Sequence, residues 1–147
     1  MTARPSEHAT WMQTARTWSA RATCPRLAVG AVIVRGGLQV SQGYNGAARG
    51  AHHCTDIGCD LQHVHGKESC MRAIHAEHNA VLNAARAGHS TLDSTLYVTH
   101  APCVRCADVL IQAGISTVVY GEAYGLIGVD KLQQAGVRVQ RFGIEIG

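Results

Sequence analysis

No apolar stretch in this sequence is long enough to cross a membrane, which excludes an α-helical integral membrane protein. Nor is there a run of basic residues. Lys and Arg number 13 against 10 Asp and Glu, a net charge of +3 spread along the chain, so no dedicated nucleic-acid surface is expected. Charged residues are scarce at 16% while hydrophobic ones reach 46%, a balance that argues against a disordered chain. Arg4, Arg16, Arg21 and Arg26 interrupt the N-terminal segment, so no secretory leader is expected. No internal repeat, low-complexity tract or linker divides the chain, and residues 1–147 are expected to form one domain around one core.

What the chain does have is six cysteines and nine histidines. The cysteines fit either a disulfide framework in a secreted protein or thiolate metal sites in a reducing compartment. Without a leader, and with so many histidines alongside, metal binding in the cytoplasm is the expectation.

Trp11, Ala15, Trp18 and Ala22 recur at helical spacing, which predicts an opening helix over residues 6–22, stopped by Cys24-Pro25. Residues 28–34 (AVGAVIV) read as a strand, Gly36-Gly37 as a turn and 38–44 as a second strand, together a hairpin. Residues 46–70 show no sustained period yet hold three of the six cysteines and four histidines, so this irregular stretch needs a crosslink to be ordered. Beyond it come a helix at 75–87, a strand at 95–99 and a helix at 103–113 closed by Gly114. A strand at 116–120, a helix near 128–134 and a strand at 137–142 complete the pattern. Such alternation predicts an α/β domain with a mixed central sheet between helical layers.

Two short motifs carry the chemistry: His75-Ala76-Glu77 and Pro102-Cys103-Val104-Arg105-Cys106. A catalytic zinc takes three protein ligands and leaves a fourth position for water. Cys103 and Cys106 stand three apart where a helix is expected to begin, so they share a face, and unpaired backbone N–H groups favour their thiolates. His75, at the start of the preceding helix, can supply the third ligand. Two thiolates and a neutral imidazole balance the dication, and the metal brings the pKa of bound water towards neutrality. Glu77 is placed to reach the water rather than the metal. Its assigned role is proton shuttle, from the water to a ring nitrogen and then to a departing amine. Taken singly, a C-x-x-C is often a structural zinc knuckle or a redox pair, and H-x-E recurs by chance. A structural site would take a fourth protein ligand and have no use for Glu77. H-x-E followed by P-C-x-x-C, each opening a helix, is the signature of zinc-dependent deaminases.

Cys24-Pro25-Arg26, Val29-Gly30-Ala31-Val32-Ile33-Val34 and Gly43-Tyr44-Asn45-Gly46 resemble the N-terminal half of the deoxycytidylate (dCMP) deaminase family. His75-Ala76-Glu77-His78-Asn79-Ala80 is similar to its central helix, and Tyr97-Val98-Thr99, Ala113-Gly114-Ile115 and Val118-Val119-Tyr120 extend the likeness. The resemblance covers about residues 24–139 and implies a three-layer α-β-α cytidine-deaminase-like fold with a mixed five-stranded sheet. It implies hydrolysis of dCMP to dUMP and ammonia, with Asn45, Ala76 and Tyr124 as substrate contacts. The alternative for Asn45-Gly46 is a simple turn with positive φ.

The resemblance also implies dCTP and dTTP as effectors and a homo-oligomer, a hexamer in related enzymes. Where the family continues Gly-Tyr-Asn-Gly with a proline two residues on, this chain has Ala48, which leaves regulation open. Arg49 and Arg86 are candidates for phosphate or effector contacts; surface solvation explains a lone arginine equally well. Some members carry a second, structural zinc, and here Cys24, Cys54 and Cys70 with His65 are the implied ligands. His63 and Cys59 are substitutes for the fourth, because Ser69 stands where the family often has histidine. The other readings are a tRNA adenosine deaminase, a deaminase of dCTP, a free nucleoside or a 5-modified dCMP, and a non-catalytic zinc-stabilised binding module.

Overall fold

A computed structural model describes residues 3–64, 66–123 and 125–144. Helix α1 (Glu7–Ser19) begins at Ser6, whose side chain accepts from the Ala9 N–H at 3.0 Å and so satisfies one of the unpaired donors of the first turn. Its buried face is centred on Met12 and Ala15, with Trp11 and Trp18 half-buried on either side. The helix stops at Ser19, short of Ala22. The N–H groups of Ala20, Arg21 and Ala22 turn back to Thr17, Trp18 and Ser19, tightening the end into three-residue turns.

Strands β1 (Gly30–Arg35) and β2 (Leu38–Tyr44) form the expected antiparallel hairpin. Gly36 and Gly37 both have positive φ (59° and 77°), which a two-residue turn of this twist requires. The stretch that follows is more ordered than its sequence suggests. Strand β3 (Gly46–Ala47) pairs with β6 (Ala73–Ile74), and between them lie α2 (Cys54–Ile57) and a small hairpin of β4 (Leu61–Val64) and β5 (Lys67–Cys70). Strands of two to four residues are too short to display a period, which is why they read as irregular.

Helix α3 (Ala76–Ala87) ends at Gly88 in the left-handed conformation. Then follow β7 (Thr95–His100), α4 (Val104–Gln112), β8 (Thr117–Glu122), α5 (Ile127–Gln134) and β9 (Arg138–Arg141). The central sheet has the order β2-β1-β7-β8-β9. Its β1 pairs are antiparallel and its β7–β8 and β8–β9 pairs parallel, so it is mixed as expected.

Alternation along β1 shows the layering. Ala31 and Ile33 join Leu96, Val98, Val118, Ala80, Leu110 and Leu132 on the α3–α5 face, while Val32 and Val34 pack with Met12 and Ala15 of α1 on the other. Both faces are covered, which is why β1 reads as an unbroken apolar run. The result is a three-layer α-β-α architecture around a mixed five-stranded sheet, as the resemblance implied. Among the described residues no helix is long and apolar enough to cross a membrane.

Candidate active site and metal centres

The site forms where α3 and α4 both begin. His75 is the N-cap of α3 and Cys103 the N-cap of α4, each with extended backbone, so each side chain leaves the chain just before its helix begins. Strand β7 runs parallel to β8, and its carboxyl end delivers Ala101-Pro102 directly into Cys103. That is the edge where crevices open in α/β sheets. On the far side α5 packs so closely that a Cβ on Gly128 would run into the Pro102 carbonyl oxygen and lie 2.8 Å from the Cys103 carbonyl carbon. Glycine is required there by space.

His75 Nδ1 lies 3.4 Å from Cys103 Sγ and 3.3 Å from Cys106 Sγ, and the three donor atoms form one group. Tetrahedral zinc with ordinary Zn–S and Zn–N bonds sets S···N edges of about 3.6 Å, so the donors fit the ion in type and spacing. Three protein donors leave the fourth corner open. The Cys106 thiol, hydrogen-bonded to Cys103, pulls Cys103 down to about 3, and the His75 contact helps it. The same contact, then burial, pushes Cys106 up. His75 is raised chiefly by its hydrogen bond to Cys103. The group thus stores protons that a metal would displace.

Glu77, in the first turn of α3, is 4% exposed, and burial raises its pKa. A carboxylate short of solvent and in contact with Cys106 of the donor group is suited to take up a proton and hand it on.

A second donor group lies in the segment between the hairpin and α3. The sulfurs of Cys24, Cys54, Cys59 and Cys70 all fall within 4.8 Å of one another. Cys24 and Cys59 are 3.7 Å apart and Cys54 and Cys70 3.4 Å, too far for disulfides and near the S···S edge of about 3.8 Å in a zinc tetrathiolate. Burial pushes the Cys54 thiol up to about 12. At Cys70 burial acts upward too, but hydrogen bonds from the Ala73 backbone, Cys54 and the Arg72 and Asp60 backbones outweigh it and bring the thiol to about 6. Among the described residues Cys59 occupies the fourth corner. His65, the implied fourth ligand, lies outside the described residues, and His63 is exposed and not part of the group. Gly58, with positive φ (86°), ends α2 directly before Cys59.

Residues 5–122 match the cytidine and deoxycytidylate deaminase zinc-binding region. The chain belongs to that family. It is 44% identical over 127 residues to ComE operon protein 2 of Bacillus subtilis (strain 168), covering 85% of this chain and 65% of that protein. It is 36% identical over 148 residues to the deoxycytidylate deaminase of Schizosaccharomyces pombe, covering 95% of this chain and 45% of that enzyme. The chain thus spans two thirds or less of the length of these relatives. Among solved structures, the dCMP deaminase of cyanophage S-TIM5 in complex with dCMP and dUMP superposes with a TM-score of 0.82 at 34% identity, over 96% of this chain and 100% of that one.

The substrate contacts implied by family resemblance fall unevenly in this deaminase-family fold. Asn45 is buried, and its amide already accepts from the Val29 N–H (2.8 Å) and donates to the Leu27 carbonyl (2.6 Å). Its visible work is to hold the segment before β1. Neither Asn45 nor Gly46 has positive φ, so the simple-turn alternative does not hold. The Ala76 side chain is fully buried in the core on the α3 side, leaving only its backbone N–H at the helix N-terminus. Tyr124 lies outside the described residues. Arg49 is exposed in the turn after β3. Arg86 sits in the last turn of α3 and donates to Asn83.

Proposed function

We propose that the chain hydrolyses dCMP to dUMP and ammonia. The observation that carries this is the three-donor group of His75, Cys103 and Cys106 with a buried carboxylate, Glu77, in contact with Cys106. Support comes from the relatives called deoxycytidylate deaminase and from the solved neighbour bound to dCMP and dUMP.

His75, Cys103 and Cys106 would hold the zinc. Bound zinc supplies an acidified water as nucleophile for the pyrimidine carbon that bears the amine. Glu77 would carry a proton from the attacking water to the adjacent ring nitrogen and later deliver one to the leaving amine. Its burial in the first turn of α3 keeps solvent from competing for the proton. The balance is simple: water adds oxygen to the ring carbon, the C–N bond breaks, and ammonia leaves.

The four loop cysteines would hold a second, structural zinc. Their donor type, spacing and absence of disulfides support it, and such an ion explains why strands too short to fold alone are ordered. Six free thiols also suit a reducing cytoplasm. Homo-oligomerisation and control by dCTP or dTTP belong to the same reading, and light scattering with and without each nucleotide tests them.

An RNA-editing reading is disfavoured by the near-balanced charge. Offering the zinc-loaded chain dCMP, deoxycytidine, cytidine, dCTP and an RNA hairpin decides between these readings. Release of dUMP from dCMP with the highest kcat/KM is the expected outcome, and turnover of the hairpin alone would overturn it.

A further inference from the structure

Asn79 lies one helical turn after His75. Its backbone N–H donates to the His75 carbonyl at 2.9 Å. Its side-chain Nδ2 donates to the Tyr44 carbonyl at 2.9 Å and the Ile74 carbonyl at 3.3 Å. A primary amide has two N–H donors, so one asparagine can satisfy both oxygens at once. Tyr44 ends β2, and Ile74 ends β6 immediately before His75.

The peptide just before His75 is held differently from the helix that follows it, which packs closely on β2 at Gly43. As N-cap, His75 lies outside the regular helix, and among the described residues the strand pairing of β6 is two rungs, Ile74 with Gly46 and Ala73 with Ala47. The Ile74 carbonyl and the His75 nitrogen share one rigid peptide plane, so fixing the oxygen fixes the plane from which the His75 side chain departs. We infer that Asn79 is a positioning residue for the candidate metal centre: by clamping the Ile74 carbonyl to the end of β2 it sets the direction in which His75 Nδ1 faces Cys103 and Cys106.

Asn83, one turn further along α3, provides an internal contrast. Its Nδ2 donates to the Gln42 carbonyl at 2.7 Å, pinning the same helix to the same strand. It does not touch the residues that carry His75. Loss of either amide removes a helix-to-strand hydrogen bond, but only loss of Asn79 frees the peptide of the metal ligand. Removing residues that orient metal ligands typically costs ~10–100-fold in metal affinity or activity.

The inference rests on the proposed zinc role of His75, and the test keeps the two apart. Zinc release from the loaded chain to a chromogenic chelator is followed in wild type, Asn79→Ala, Asn83→Ala and His75→Ala, together with kcat, KM and Tm. His75→Ala identifies which phase of release belongs to this centre. If it leaves zinc content and release unchanged, the zinc reading itself falls. Asn79→Ala is expected to speed that phase ~10–100-fold and to lower kcat more than it raises KM. The phase from the loop cysteines should not move. Asn83→Ala is expected to lower Tm to a similar degree with release and kcat as in wild type. Release from Asn79→Ala no faster than from Asn83→Ala would overturn the inference. Should Asn79→Ala fail to fold, Asn79→Ser, which retains a single donor, is held to the same comparison.

Discussion

His75 and Cys106, 31 residues apart in the chain, meet Nδ1 to Sγ at 3.3 Å. Strand β7 and two helix N-termini are what bring them together, so the donor set exists only when the α3 face of the sheet is packed. Metal binding and folding of this face are therefore linked, and the consequences can be measured.

Glu77→Ala should keep zinc and lose most of its deamination rate, because it removes a proton carrier without touching a ligand. The expected drop in kcat is ~10²–10⁴-fold. Elemental analysis alongside steady-state rates checks it. Wild-type turnover in a fully zinc-loaded variant would show that Glu77 carries no proton.

The purified chain should contain two zinc ions, one at each donor group. Cys54→Ser and Cys59→Ser should each lower the zinc content and the thermal midpoint while leaving kcat at saturating dCMP near the wild-type value. His65→Ala, by contrast, should leave both ions in place. One zinc per wild-type chain would count against the loop site, and zinc loss in His65→Ala with none in Cys59→Ser would reinstate the histidine as ligand.

A monophosphate substrate needs cationic or N–H donors a nucleotide's length from the metal. Exposed Arg49, in the turn after β3, and the N-terminus of α3 are the candidates. Removing the phosphate should then lower kcat/KM at least ~10-fold, roughly 1.4 kcal/mol of transition-state binding. Comparing dCMP with deoxycytidine measures this. Equal rates would mean that the phosphate is not recognised, and a strong preference for dCTP would mean that the pocket extends further.

Gly128→Ala should disturb the centre from the outside. Its new methyl group would collide with the Pro102 carbonyl and press on the Cys103 backbone. Overpacking of this kind costs roughly 1–3 kcal/mol, and here the displaced element is the N-cap that carries Cys103, a proposed ligand. Denaturation midpoints and zinc content should fall together. An unchanged zinc content at lowered stability would show that α5 can shift without moving Cys103.

The sequence by itself determined the elements whose period runs long enough to show and the residues whose chemistry is unusual. The β1–β2 hairpin was written in Gly36-Gly37 between two apolar runs, and the mixed sheet in the alternation of strands with helices. The deaminase motifs singled out His75, Glu77, Cys103 and Cys106 because H-x-E and P-C-x-x-C occur together, each opening a helix, where either alone would have other common uses. Local signals also set limits. The tryptophan row suggested a longer α1 with a different centre, since a stripe shows which residues are apolar but not which of them points at the sheet; packing chose Met12.

Tertiary structure alone decided the rest. The fourth thiol of the loop cluster is Cys59 because the folded segment brings its sulfur within 4.8 Å of the other three, a proximity that no local period announces. Asn45, a substrate contact by resemblance, spends its amide on Leu27 and Val29, and Asn79, unremarked in its motif, holds the carbonyl before His75. Amide side chains declare neither partner nor direction in a sequence. Their roles are set by which carbonyls the fold leaves within 3 Å or so of them, and that distance is a property of the packed chain.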